Sequence, residues 1–357
     1  MVKGMQLARF SLLLGFCLFL AGCSLQQAPE PRYISPEVAG FDDEKLQQLT
    51  EIAEEAGSSS IVLMHEGQIV YSYGDIFEKH TIHSIRKSML NSIFGIYVER
   101  GMIDLDATID SLDLDDIHGL SELEKSATVR QLLQARSGIY HPSAATSAGM
   151  LRNIPERNSV EPGTQYVYNN WDFNVAGAIF EQQTGLSIYK AFLEEIAKPI
   201  GMRQYQGDYV TYQEGDELGE YEADGFYMHE PELSKYPDYH FRMSAYDMAL
   251  YGQLYLNGGM WNGEQIIPQG WIEESTTSYS VTNPYMDFGY GYLWNVINPN
   301  EERATKSFYH TGVGVHMLAV YPGSDFVFVH RVQTEEGVEF NQQNLYRLIG
   351  AMFSAKD

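Results

Sequence analysis

The sequence predicts an α+β fold, an antiparallel β-sheet flanked by N- and C-terminal helices with a mainly helical insert domain. Three observations carry that expectation. Runs rich in β-branched and aromatic residues, separated by turn signals, occur near both ends of the chain. Each end also carries a helix with an apolar stripe at helical spacing. The stretch from Ile103 to about Tyr279 reads instead as helices joined by long polar loops. With 357 residues, 44% of them hydrophobic, the chain can bury a large core in one or two domains.

At the N-terminus, Lys3 and Arg9 precede an apolar run over residues 10–20 that ends in Leu20-Ala21-Gly22-Cys23. A basic region, a short apolar core and small residues describe a secretory signal, and the run is too short to favour a spanning helix. The Leu-Ala-Gly-Cys ending resembles a bacterial lipobox. That resemblance implies cleavage before Cys23, lipidation of its sulfur, and a mature protein held at a membrane surface of the cell envelope, on its periplasmic or extracellular side. The expected organisation is then a signal peptide over 1–22, a polar tether over 23–36, a sheet domain from 37–102 with 285–357, and a helical domain over 103–284. Cys17 falls in the removed segment, so only Cys23 remains, which excludes a disulfide framework, a cysteine nucleophile and a cysteine metal site. A formal net charge of −25 argues against nucleic acid and anionic membranes as partners and favours solubility.

Taken in order, Phe41-Asp42-Asp43-Glu44 opens a helix with the stripe Leu46, Leu49, Ala53 and Ala56, ended by Gly57. Residues 60–65 and 68–73 read as a hairpin about Glu66-Gly67, and the helix beginning near Ser84 continues with Met89, Leu90, Ile93 and Phe94. The acidic clusters at Asp104-Leu105-Asp106 and at 113–116 lack the glycine and terminal glutamate of a calcium loop, so they read as solvated capping residues. Helices follow at 128–135, 171–183 and 187–197. The Tyr-rich segment 205–239 has no clear periodicity and reads equally as a solvated loop or as an aromatic wall over a pocket. Ser244-Ala245-Tyr246-Asp247 matches a capping box opening a helix to Leu256, and Asn262-Gly263 a two-residue hairpin. Strands at 289–296, 307–311, 316–321 and 326–332 lead to a closing helix carrying Leu345, Leu348, Ile349 and Met352.

The chemistry centres on Ser84-Ile85-Arg86-Lys87. Residues three apart on a helix share a face, so Ser84 and Lys87 present a hydroxyl and an amine to each other. A serine hydroxyl needs a neighbour to take its proton, and lysine can do so only when burial or positive charge lowers its pKa. The free N–H groups at a helix start suit an oxyanion at Ser84. A second copy, Ser187-Ile188-Tyr189-Lys190, reads as an ordinary helix start. Tyr168-Asn169-Asn170 precedes a helix. Its tyrosine can relay a proton and the Asn170 amide can hold a substrate carbonyl. His310-Thr311-Gly312 ends a strand, where Gly312 admits substrate and the Val313 N–H can complete an oxyanion hole. His80 and His83 lack the further ligands of a metal site, and no cofactor is expected.

The order and spacing of Ser84-x-x-Lys87, Tyr168-x-Asn170 and His310-Thr311-Gly312 resemble the serine β-lactamase and penicillin-binding superfamily. Within it they are similar to class C β-lactamase-like hydrolases, which include D-alanyl-D-alanine carboxypeptidases, esterases and 6-aminohexanoate-dimer hydrolases. Ala135-Arg136-Ser137-Gly138, residues 254–259 and Trp261-Asn262-Gly263 share the resemblance. It implies a β-lactamase/transpeptidase-like fold, Ser84 as nucleophile, Lys87 as its base or relay, and Tyr168 as the group that passes protons to the leaving group. Asn170 and His310-Thr311-Gly312 would position a small amide, ester or peptide substrate. Histidine stands where true β-lactamases commonly have lysine, and Asn169 where serine is frequent, which points away from β-lactam hydrolysis more than from hydrolysis. The alternatives are a carboxypeptidase or β-lactamase, and a penicillin-binding sensor lipoprotein that is acylated without turnover.

Overall fold

A computed structural model describes residue 1 and residues 30–213, 216 and 223–356. Cys23 and the apolar run before it lie outside the described residues. Among the described residues no helix is long and apolar enough to cross a membrane.

The centre of the molecule is an eight-stranded antiparallel sheet. Its order runs Gln68–Gly74, Ser60–His65, Phe326–Arg331, His316–Tyr321, Ser307–Gly312, Asn295–Ile297, Phe288–Tyr290, Ser280–Asn283. The first hairpin turns at Glu66 and Gly67, both with positive φ (50° and 71°), which the twist of a two-residue connection requires. Because successive side chains point to opposite faces, each strand serves two cores. Ile61, Leu63, Met317, Ala319 and Phe328 pack beneath the terminal helices Asp43–Ala56 and Gln342–Ala355. Val62, Met64, Leu318, Val320 and Val327 join the larger core under the helices Arg86–Glu99 and Ala245–Leu256. The two ends of the chain thus share one sheet.

The middle of the chain carries more strand than its mainly helical expectation. Strands Tyr209–Gln213, Gly225–His229 and Asp238–Met243 form a second sheet with His80–Thr81, so the Tyr-rich segment is partly regular. Its first two strands pair in parallel, and aromatic residues fill both of its faces. That leaves no simple alternation of polar and apolar residues to read. Helix Ala245–Leu256 and strand Ser280–Asn283 belong with the large sheet although they precede residue 285. The single strand expected over 289–296 is two, Phe288–Tyr290 and Asn295–Ile297, split by a buried turn in which Leu293 has φ 58°. The third predicted helix is Ile188–Phe192, continued by a π-helical turn over Leu193–Ala197.

Helix Ala245–Leu256 begins where Ser244 accepts from the Asp247 N–H at 3.0 Å. The Asp247 carboxylate does not close the box. It accepts instead from the backbone of Arg203, Gln204 and Tyr205. Gly252 on this helix lies so close to the sheet that an added Cβ would meet Val327 Cγ1 at 2.5 Å and Leu318 Cδ1 at 3.1 Å. Gly270, in helix Gln269–Ser275, faces open space. Alanine is the better helix former at both positions, by about 1 kcal/mol. Gly270→Ala is therefore expected to raise the urea midpoint, while overpacking makes Gly252→Ala lower it by about 1–3 kcal/mol of stability. Equal midpoints for the two variants would contradict the packing described.

Candidate active site

The segment after strand His80–Thr81 stays against the second sheet, where the Ile82 N–H donates to the Phe241 carbonyl at 2.9 Å. His83 then takes φ 49°, a left-handed conformation that costs a non-glycine residue of order 1–3 kcal/mol. Together with the 3₁₀ turn His83–Ile85 it delivers Ser84 to the mouth of helix Arg86–Glu99. This helix is buried nearly all round, and Met89, Leu90, Ile93 and Phe94 are fully enclosed.

Lys87 has no solvent exposure, and its Nζ lies 3.0 Å from Ser84 Oγ. The amine sits over the rings of Phe173, at 4.8 Å, and Tyr168, at 5.1 Å. Burial lowers the lysine pKa well below its ordinary value, and the neighbouring Arg86 charge lowers it further, against an opposing pull from Asp238. The two rings favour the ammonium by only about 0.5–2 kcal/mol, so desolvation decides the charge state. Arg86 and Asp238 form a fully buried ion pair. Burial alone would raise the Asp238 carboxyl, but the Arg86 charge and His240 Nε2, 2.6 Å from Oδ2, hold it down to about 2. The anion is thus matched by arginine, and Lys87 remains an amine with no carboxylate of its own.

Tyr168 precedes helix Asn170–Thr184, which Asn169 caps by accepting from the Asp172 N–H at 3.0 Å. Burial pushes the Tyr168 phenol up to about 12, although the Ser84 hydroxyl beside it pulls the other way. It stays protonated at neutral pH. His310 is buried, its Nδ1 donates to the Thr311 carbonyl at 3.0 Å, and burial lowers its pKa to about 3. It is a neutral ring. Gly312 packs against the segment before Ser84 so tightly that a Cβ would meet the Ile82 carbonyl at 2.5 Å. Val313 stands exposed where the strand leaves the sheet.

Two expectations change in detail. Thr311 pairs with Met317, which belongs to the core under the terminal helices, so its side chain points away from Ser84. Strand alternation sends Phe308 and His310 to the catalytic face and Tyr309 and Thr311 to the other, where Thr311 lines a separate cavity. Any part it has in binding substrate passes through its backbone. Asn170 Nδ2 donates to the Ala145 carbonyl at 2.7 Å, so this amide first fixes the loop at Ala145.

Sequence reading assigned no role to Arg86 or to its partners Asp238 and His240. No motif marks a carboxylate 152 residues away, and only the Ser-x-x-Lys need for a charge-lowering neighbour hinted at the arginine. Among the described residues, the grouping His65, Glu66 and Asp325 could share a cation. It lies at the opposite end of strand Phe326–Arg331 from the Ser84 segment.

Arg86→Met would leave Asp238 buried without its main counter-charge, at an expected cost of about 3–5 kcal/mol. The remaining anion would also raise the Lys87 pKa, moving the rise of kcat/KM to higher pH. Arg86→Met/Asp238→Leu should recover most of both losses. A single variant with wild-type urea stability and pH profile would show that the pair does not govern Lys87.

The family model described as Beta-lactamase matches residues 46–351. A Bacillus anthracis protein described as a 6-aminohexanoate-dimer hydrolase superposes with TM-score 0.64 at 20% identity, covering 92% of this chain and 87% of its own. A D-stereospecific amidohydrolase from Streptomyces sp. gives 0.60 at 19% identity over 87% of this chain and 98% of its own. A family VIII carboxylesterase gives 0.61 at 18% over 87% and 97%. At these identities the structural likenesses establish a common fold, whereas the family match spans most of the chain. The chain belongs to the beta-lactamase family of serine hydrolases.

Proposed function

We propose that the protein is a class C β-lactamase-like hydrolase that cleaves small amides or esters through an acyl-enzyme on Ser84. The observation that carries this reading is the 3.0 Å approach of a fully buried, carboxylate-free lysine amine to the Ser84 hydroxyl. Lys87 accepts the hydroxyl proton as Ser84 attacks the carbonyl, and backbone N–H groups at the helix mouth face the oxyanion. Burial raises the Tyr168 phenol, which keeps its proton at neutral pH. It therefore gives a proton to the leaving group and regains one from Lys87. Water then repeats the sequence on the acyl-enzyme.

The substrate is best an amide or ester without a carboxylate beside the scissile bond. His310 is neutral, Lys87 is an amine and the Arg86 charge is matched by Asp238, so none of the three offers a free cation to such an anion. This favours linear amides and esters over β-lactams and D-alanyl peptides.

Intact-mass spectrometry with an activated ester and with a penicillin tests the reading. A transient adduct with the ester, product release and loss of both in Ser84→Ala are expected. Tyr168→Phe should slow turnover by about 10²–10⁴. A penicillin adduct that persists would favour a sensor instead. No adduct with either reagent would exclude both.

A further inference from the structure

We propose that His83 is a substrate-binding residue whose imidazole is locked, by a hydrogen-bond chain from Arg331, into the tautomer that presents Nδ1–H as a donor beside Ser84. The inference rests on the acyl-enzyme reading of Ser84 and adds a specificity determinant to it.

Arg331 is wholly buried, and a guanidinium can only donate. Its terminal nitrogens donate to the carbonyls of Met243 and His80, the latter at 2.8 Å. Its Nε donates to His316 Nδ1 at 3.1 Å, which makes that nitrogen an acceptor. The backbone N–H of Val332 approaches the same nitrogen at 3.4 Å. His316 is kept neutral by burial, so its proton sits on Nε2, 3.3 Å from Thr334 Oγ1. The Thr334 hydroxyl accepts there, and its own proton goes to His83 Nε2 at 3.1 Å. A neutral His83 with an accepting Nε2 carries its hydrogen on Nδ1. Burial lowers the His83 pKa to about 4, with the His240 and Arg331 charges adding to the effect and Glu335 and Asp238 opposing it.

His83 precedes the nucleophile, is only partly buried, and meets Gly312 on the side where that strand has no room for a Cβ. Its ring neighbours are His316 at 5.3 Å and His240 at 6.1 Å, whereas Tyr168 packs against Phe173 and Tyr290. The leaving group belongs to the Tyr168 flank, so His83 meets the acyl flank. Its Nδ1–H selects acyl groups that carry an acceptor, such as an amide carbonyl, next to the scissile carbonyl.

The full protein labelled with ¹⁵N-histidine, assigned by His83→Asn, is read by long-range ¹H–¹⁵N correlation at pH 7. Protonated Nδ1 and bare Nε2 are expected for His83, with mixing of the tautomers in Thr334→Val. The p-nitrophenyl esters of N-acetylglycine and of butyric acid then probe the site. His83→Ala should lose roughly tenfold to a hundredfold in kcat/KM on the first relative to the second, the effect of one lost hydrogen bond. His83→Asn keeps a donor at the same place, tolerates positive φ and should stay within about threefold of wild type. Fluorophosphonate labelling of Ser84 separates the two levels of the argument. No labelling of the wild type removes the acyl-enzyme reading itself. Labelling retained in His83→Ala without the selective loss, or a His83 proton found on Nε2, overturns this inference alone.

Discussion

The site depends on burying one lysine without giving it a carboxylate. A lysine buried beneath Phe173 and Tyr168 would normally be expelled or paired, since an isolated buried charge is far more costly than a neutral amine. Here the nearest anion, Asp238, is matched by Arg86 one position away in sequence. The result is a cavity whose fixed charges already balance. Protonating Lys87 would add an unmatched charge, so the fold holds it as a base at pH values where free lysine is an acid. That balance leaves the Lys87 amine 3.0 Å from the Ser84 hydroxyl without a carboxylate competing for it.

The large sheet makes this arrangement possible by dividing its labour between faces. Strand Ser307–Gly312 places Phe308, His310 and Gly312 toward the helices that carry Ser84 and Tyr168, while Tyr309 and Thr311 face the opposite cavity. Its last residue approaches Ile82 closely enough that only glycine fits. The terminal helices cover the other face, and the second sheet supplies Asp238 and His240 from the far side of the nucleophile. The nucleophile-bearing turn, His310 and Asp238 therefore converge because two sheets anchor them, and the strained φ of His83 is held between those sheets.

Much of this was legible in the sequence. The antiparallel pairing of the chain ends, the Glu66-Gly67 turn and the Ser244 cap follow from local rules, because alternation, glycine and capping hydroxyls act over a few residues. The pairing of Ser84 with Lys87 was readable for the same reason. The Arg86–Asp238 pair was not, since its partners meet only through tertiary contact and neither sits in a motif. The orientation of Thr311 was missed because a motif read as a string ignores that neighbours on a strand face opposite ways. The second sheet was hidden by aromatic residues on both its faces, which erase the two-residue period.

The charge on Lys87 is the quantity on which the account turns, and it can be read without any substrate. In protein labelled with ¹³C-lysine, the Lys87 Cε resonance, assigned by Lys87→Gln, can be followed as pH is raised. The account predicts a midpoint well below that of the exposed lysines, which titrate at about 10.4. A Lys87 resonance that moves together with theirs would contradict it.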